Sequence, residues 1–118
     1  MRNEIMEQEK LVQVLSDAGI PKKLAKTLIY IYQVDESRSA DIERGTDLRQ
    51  SEVSKLTGEL CRREWIKKRD IKKKGRGRPV HIYRCSTLSK ILKNLEQEKV
   101  EEIEGIKKDL SELKNLIN

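Results

Sequence analysis

The apolar residues of this chain change their spacing twice along its 118 residues, and these changes constrain the fold more than any other feature. Up to about residue 63 they recur at the three- and four-residue intervals of helices. Residues 65–84 instead contain two short runs rich in β-forming residues, and helical spacing returns from residue 88 to the end. This order predicts a mainly α protein with a small β-hairpin, and such regular periodicity argues against disorder.

Four helices are predicted before the hairpin, over residues 4–17, 21–34, 40–45 and 50–63. Gly19 is expected to end the first helix, Pro21 to begin the second, and Ser39 to cap the third. A short turn at residues 46–48 joins the last two helices, as in a helix-turn-helix unit. The predicted inward-facing residues are Leu24, Ala25, Leu28, Ile29 and Tyr32 in the second helix, with Val53, Leu56 and Leu60 in the fourth.

Positive charge is concentrated in and around the predicted hairpin, whose strands cover residues 65–69 and 80–84. Residues 62–84 hold 11 Lys and Arg against 2 Asp and Glu, a net charge of +9, whereas residues 1–61 and 85–118 are slightly acidic. The hairpin tip carries Lys72, Lys73, Lys74, Arg76 and Arg78. Five like charges so close together repel one another, and nucleic-acid phosphates would relieve that repulsion. The block therefore predicts a polyanion-binding surface.

An α-helix fits the major groove of DNA, where its N-terminal residues meet the base edges. The corresponding end of the fourth predicted helix carries Arg49, Gln50, Ser51, Ser54 and Lys55. Gln50 can bond adenine through two hydrogen bonds. Taken alone, these residues fit any solvent-facing helix, but the neighbouring cationic hairpin favours double-stranded DNA as the partner.

A family resemblance supports this interpretation. It rests on residues 41–56, on the Glu64-Trp65-Ile66 step, and on the Gly-Arg-Gly-Arg-Pro run at 75–79 with the strand that follows it. Over about residues 20–95 the chain resembles the winged helix-turn-helix of MarR-like and archaeal TrmB-like regulators. The resemblance implies that the hairpin is the wing. It also implies core positions at Ile42, Leu48, Val53, Leu56 and Leu60, and groove-facing positions at Gln50, Ser51, Ser54 and Lys55.

The sequence departs from that family pattern at three positions. Glu43 stands where a small residue is usual, and Asp47 replaces the common glycine of the turn. Glu64 replaces the glycine that usually ends the recognition helix, and Gly58 falls inside that helix. The apolar framework of the motif is retained.

The last predicted helix begins after Ser86 or Thr87 and runs to the terminus. Its second half carries a coiled-coil seam with steps of three and four residues, made of Ile103, Ile106, Leu110, Leu113 and Ile117. The 11-residue interval from Leu92 to Ile103 shifts the register, and Gly105 weakens the helix. Two outcomes stay open: pairing with a second chain, or folding back on the same chain. We expect a winged helix-turn-helix over residues 1–86 and a dimerisation helix over residues 87–118.

Other functional classes are disfavoured. The one histidine, His81, and the scattered acids cannot assemble a catalytic or metal-binding constellation, so we expect no enzyme activity, metal or cofactor. Cys61 and Cys85 lack metal-ligand spacing and are expected to be reduced thiols. Trp65 is expected in the core rather than stacked on a base, and His81 is expected to be an ordinary strand residue. Without a signal peptide or an apolar run of roughly 20 residues, a cytoplasmic, nucleoid-associated location is expected, with no membrane partner.

The sequence therefore predicts a sequence-specific, double-stranded DNA-binding transcriptional regulator that acts as a homodimer on a two-fold symmetric site. Two alternatives remain open. One is an architectural chromatin protein that bridges DNA through an antiparallel coiled coil with little sequence preference. The other is a winged-helix module that binds proteins. Nothing in the pattern identifies a small-molecule effector.

Overall fold

The computed structural model describes residues 2–71 and 80–118. Its elements are α1 (Arg2–Asp17), α2 (Lys22–Val34), β1 (Glu36–Arg38), α3 (Ser39–Thr46), α4 (Gln50–Arg62), β2 (Ile66–Ile71), β3 (Val80–Cys85) and α5 (Leu88–Ile117). They divide into two compact units, Met1–Ser86 and Thr87–Asn118. Within the described ranges, no helix combines the length and apolar character needed to cross a membrane.

Helix α2 is the central element of the first unit, and it contacts α1, α3, α4, β1 and β3. Its buried side chains are Leu24, Ala25, Thr27, Leu28, Ile29 and Ile31. The prediction that Tyr32 is buried is wrong, because this residue is 41% exposed while Ile31 is fully buried. Seven residues make nearly two full helical turns, so Ile31 aligns with Leu24, and Tyr32 is rotated away from that line.

Helix α4 buries Val53, Thr57 and Leu60, whereas Leu56, predicted to face inward, is only half-buried. Thr57 can be buried because its hydroxyl donates to the carbonyl of Val53 at 2.8 Å. Thr27 and Thr46 repeat this arrangement in α2 and α3, each with the carbonyl four residues earlier. Such bonds remove most of the cost of placing a hydroxyl in an apolar core.

Helix α3 packs against α2 through the close approach of Gly45 to the ring of Tyr30. A Cβ atom at position 45 would overlap the Cε2 and Cζ atoms of that ring. The glycine is therefore required by packing and not by its backbone conformation.

We expect Gly45→Ala to destabilise the first unit by about 1–3 kcal/mol, because the tyrosine ring must shift out of a packed position. Urea unfolding followed by circular dichroism measures this loss. Gly58→Ala is the matched control, since its Cβ would meet nothing closer than Arg62 Nη1 at 3.8 Å. The control should keep or gain stability, by up to about 1 kcal/mol. Equal stability of the two variants would contradict the packing role of Gly45.

The strands form an antiparallel sheet in the order β1-β3-β2. Strand β1 differs from the prediction, which treated residues 35–39 only as a break between helices. Its central residue, Ser37, is buried opposite Tyr83 of β3. Strands β2 and β3 pair from Ile66–Cys85 to Ile71–Val80, so β2 extends two residues beyond its predicted end.

Left-handed backbone occurs in the turn of the helix-turn-helix and again just after its second helix. Asp47, which follows α3, has φ 57°, and Glu64, which follows α4, has φ 62°. These are the two positions where the resemblance expects glycine, so the chain keeps the usual turn geometry with residues that adopt it less readily. At the start of α3 the capping residue is Arg38 rather than the predicted Ser39, and its backbone amide donates to Asp41 Oδ2 at 3.1 Å.

The second unit consists of the 30-residue helix α5. Thr87 caps it, because its hydroxyl oxygen accepts from the Lys90 amide at 3.4 Å. Every residue from 101 to 118 is exposed. The exposed fractions of the predicted seam residues are 52% for Ile103, 58% for Ile106, 60% for Leu110, 53% for Leu113 and 75% for Ile117.

Candidate nucleic-acid interface

The predicted recognition residues lie at the start of α4 and are all exposed: Arg49, Gln50, Ser51, Ser54 and Lys55. At 3.6 residues per turn, Ser51 and Lys55 lie opposite the buried Val53 and Leu60. Gln50 and Ser54 lie one above the other on an adjacent flank. The first two turns of α4 therefore present a polar surface that faces away from the core, and a groove of DNA could receive it.

The opposite flank of α4 carries an acid that is already paired. Glu52 Oε2 accepts from Lys23 Nζ of α2 at 2.5 Å, and the Arg49 backbone amide donates to Glu52 Oε1 at 3.5 Å. These two bonds, the lysine bond foremost, hold the pKa of Glu52 below its usual range. The pair links α2 to the start of α4 and offsets a negative charge that would otherwise repel phosphates.

The hairpin supplies the second part of the predicted site. Ile71 and Val80 form the last described pair of β2 and β3, and residues 72–79 join the two strands beyond it. The predicted wing residues, Lys72, Lys73, Lys74, Arg76 and Arg78, lie outside the described residues. Their contact with DNA stays a prediction.

The remaining cations of the +9 block are partly neutralised by acids from elsewhere in the chain. Glu59 accepts from Arg62 Nη2 at 2.5 Å and from Arg63 Nε at 3.2 Å. Two further ion pairs are Arg69–Glu36 at 3.4 Å and Arg84–Asp35 at 3.5 Å. By contrast, Lys67 and Lys68 are exposed and form no ion pair within residues 2–71 and 80–118. The free positive charge is therefore smaller than the sequence count indicates.

One face of the sheet collects four cations. Residues directly opposite in a sheet point to the same side and successive residues alternate, so Arg38, Lys67, Arg69 and Arg84 share a face. All four are exposed, and Glu36 lies on the same face. Arg38 was not predicted in any site, because its place on this face depends on the pairing of β1 with β3. In the sequence, the only sign of this strand was a short polar segment before the third predicted helix.

Trp65 fixes the junction between α4 and the hairpin, as predicted for a core residue. Its side chain is 1% exposed, and the Arg63 guanidinium lies 4.8 Å from the ring centroid, a cation–π distance. Its backbone amide donates to the Leu60 carbonyl at 3.0 Å, and its own carbonyl accepts from the Ser86 amide at 2.9 Å. The orientation of α4 relative to the strands is thus held by packing and by backbone bonds.

His81 and the two cysteines, the other residues that could carry out chemistry, have surroundings typical of structural residues. His81 Nδ1 lies 2.5 Å from Asp70 Oδ1 on the opposite strand, and its ring is 6.5 Å from that of Tyr83. Both cysteines are free thiols, and burial raises the pKa of Cys85 to about 11 and also raises that of Cys61. In the described part of the chain, no group of three or more His, Cys, Asp or Glu is arranged to hold a metal ion.

Comparisons with solved structures identify the fold. A possible transcriptional regulator from Methanosarcina mazei superposes with a TM-score of 0.66 at 15% identity, over 92% of this chain and 87% of that one. MepR, a transcription regulator of a Staphylococcus aureus multidrug efflux pump, gives 0.50 at 23% identity, covering 94% and 90%. The oxidised form of MarR from E. coli gives 0.52 at 12% identity, covering 99% and 90%.

At these identities the likeness concerns the fold. No protein-family model matches the chain, and no curated protein matches its sequence significantly. The structural neighbours confirm the predicted architecture, a MarR-like winged helix with a long C-terminal helix.

Proposed function

We propose that this MarR-like winged helix is a sequence-specific, double-stranded DNA-binding transcriptional regulator that acts as a homodimer on a two-fold symmetric site. The observation that carries the proposal is the exposed start of α4, where Arg49, Gln50, Ser51, Ser54 and Lys55 are all accessible to a partner. The names of the structural neighbours as transcriptional regulators support the same function. In the cell we place the protein in the cytoplasm, on the nucleoid.

The two parts of the interface have different roles in this proposal. Gln50, Ser51 and Ser54 read base edges in the major groove, since amide and hydroxyl groups can both donate and accept there. Arg49 and Lys55 bind phosphates beside the groove. The wing cations, Lys72 to Lys74 with Arg76 and Arg78, contact phosphates or an adjacent minor groove. Affinity would therefore come mostly from charge, and specificity mostly from α4.

The proposed dimer uses the exposed seam of α5. Five large apolar side chains in water are unfavourable, and burying each is worth roughly 1.5–3 kcal/mol before ordering costs. A second copy presents the same stripe and can cover it. Two recognition helices related by a two-fold axis require inverted half-sites, about 34–36 Å apart or a multiple of that distance.

Gln50→Ala and Ser54→Ala test the proposal most directly. Each should cost about 1–3 kcal/mol at the preferred site and little at other sequences, because each removes a base contact and no phosphate contact. Selection of bound sequences from a random DNA pool, followed by affinity measurements, gives both numbers. Gln13→Ala, which removes an exposed amide of α1 that donates to Asp17, is the control and should leave site preference unchanged.

Two results would count against the proposal. If the wild type selects no sequence, an architectural DNA-bridging role explains the fold better. If it binds no duplex at all, the winged helix serves protein contacts instead.

A further inference from the structure

The charges beside the seam of α5 carry information about how a second copy binds. In a heptad labelled a to g, Ile103, Leu110 and Ile117 occupy a, while Ile106 and Leu113 occupy d. The flanking g positions are then Glu102 and Asp109, both acidic, and the apolar Leu116. The flanking e positions Lys107 and Lys114 are both basic, and all five residues are exposed.

The two possible orientations use these flanks differently. In a parallel pair, each g residue lies beside the e residue five positions later on the partner helix. Glu102 would meet the partner's Lys107, and Asp109 the partner's Lys114, on both sides of the seam. In an antiparallel pair, g flanks g and e flanks e, so acids would face acids and lysines would face lysines.

We infer that α5 pairs with α5 of a second copy as a parallel two-stranded coiled coil over residues 103–117. This inference rests on the proposed homodimer and adds its orientation. The apolar seam supplies attraction in either direction, and the flanking charges select the parallel one. Within one chain, Lys99 Nζ lies 3.2 Å from Glu102 Oε2 and 3.4 Å from Oε1, so the partner's Lys107 would share this exposed carboxylate with Lys99.

A parallel pair has its two-fold axis along the coil, so both Thr87 ends lie at the same end of it. The interaxial distance of packed helices is about 8–10 Å, which brings the two chains together from Ile103 onward. The two winged-helix units are then attached at one end of a common stem. This symmetry matches that of an inverted-repeat DNA site.

Charge reversal tests the orientation by its effect on dimer affinity. In a parallel pair, Lys107→Glu with Lys114→Glu turns every g–e attraction into repulsion, and the dimer Kd should rise about tenfold or more at low salt. Adding Glu102→Lys and Asp109→Lys restores the attractions and should restore the Kd. In an antiparallel pair the first variant exchanges one like-charge contact for another, so an unchanged Kd would overturn the inference. Lys90→Glu with Lys108→Glu, which makes the same charge change away from these flanks, is the control and should leave the Kd unchanged.

Disulfide trapping provides a second measurement that does not depend on charge. In a parallel pair, position 117 lies beside itself, so Ile117→Cys should form a disulfide-linked dimer in glutathione buffer, and so should Ile103→Cys. In an antiparallel pair each a residue lies beside a d residue, so with Leu110 beside Leu113 position 117 lies beside 106. Ile117→Cys would then cross-link only in a mixture with Ile106→Cys. The wild type, with Cys61 and Cys85, is the control for background linkage.

The outcomes separate this inference from the proposed function. A wild type that sediments as a monomer overturns the homodimer and the parallel coil together. A wild-type dimer that cross-links only in the mixture, or in neither arrangement, overturns the parallel coil alone. Self-linkage of each variant, together with weakening by Lys107→Glu and Lys114→Glu, supports it.

Discussion

Leu110→Glu combined with Leu113→Glu is expected to convert the protein into a folded monomer that binds one half-site weakly. Both side chains lie at the centre of the exposed seam, and carboxylates there would have to be buried unpaired in a dimer. Loss of the second recognition helix also removes the advantage of linked binding, which is about 10²–10⁴ in affinity. Sedimentation and titration of a two-half-site duplex measure the two effects.

Ser111→Glu with Asn115→Glu is the matched control, since these exposed residues of α5 lie outside the a and d positions. It should leave the dimer and its affinity nearly unchanged. The fold-back alternative predicts different results for the wild type and for the double leucine variant. The wild type would be monomeric, and the double leucine variant would lower the melting temperature without changing the mass in solution.

Arg76→Ala with Arg78→Ala is expected to give the other large effect, a loss of DNA affinity that depends on salt. If the wild type contacts about six phosphates, the slope of log K against log salt should be about −5.4, and losing two contacts should bring it to about −3.6. The affinity should fall for all sequences alike if the arginines bind phosphates. If they enter a minor groove, the loss should depend on A·T content beside the site.

Lys90→Ala with Lys93→Ala, which removes two exposed cations of α5, is the control for the change in net charge. Its effect on the slope should be small. An unchanged affinity of the Arg76 and Arg78 variant on every duplex would refute the wing as a DNA contact. The exposed cations Lys67 and Lys68 on β2 would then be the next residues to test.

Much of the fold could be predicted because the apolar spacing of a helix, and the residues that begin and end it, can be recognised from neighbouring positions in the sequence. Gly19 and Pro21 mark the boundary between the first two helices, and the predicted ends of the fourth helix are within one residue of the observed Gln50–Arg62. Strand β1 could not be predicted in this way. Glu36, Ser37 and Arg38 form a strand only because β3 pairs with them, and that pairing brings together residues almost fifty positions apart.

The same limit applies to the site. The exposed face of α4 follows from its own periodicity, so the five recognition residues were predicted at exposed positions. The pairing of Arg69 with Glu36 and of Arg84 with Asp35 depends on the sheet, so a count of charges along the sequence overstates the free positive charge. Buried threonines are a further case. Thr57, and not Leu56, is fully buried in α4, and its hydroxyl donates to the carbonyls of Val53 and Ser54.

The burial of Trp65 has a practical consequence for all these experiments. It is the chain's only tryptophan, and it is 1% exposed at the junction of the recognition helix and the hairpin. Its fluorescence emission therefore arises from one site in the first unit and shifts to longer wavelength when that site becomes hydrated. Because α5 contains no tryptophan, the emission spectrum reports whether a variant of the seam has kept its winged helix folded. The protein thus carries an intrinsic optical probe that separates loss of assembly from loss of structure.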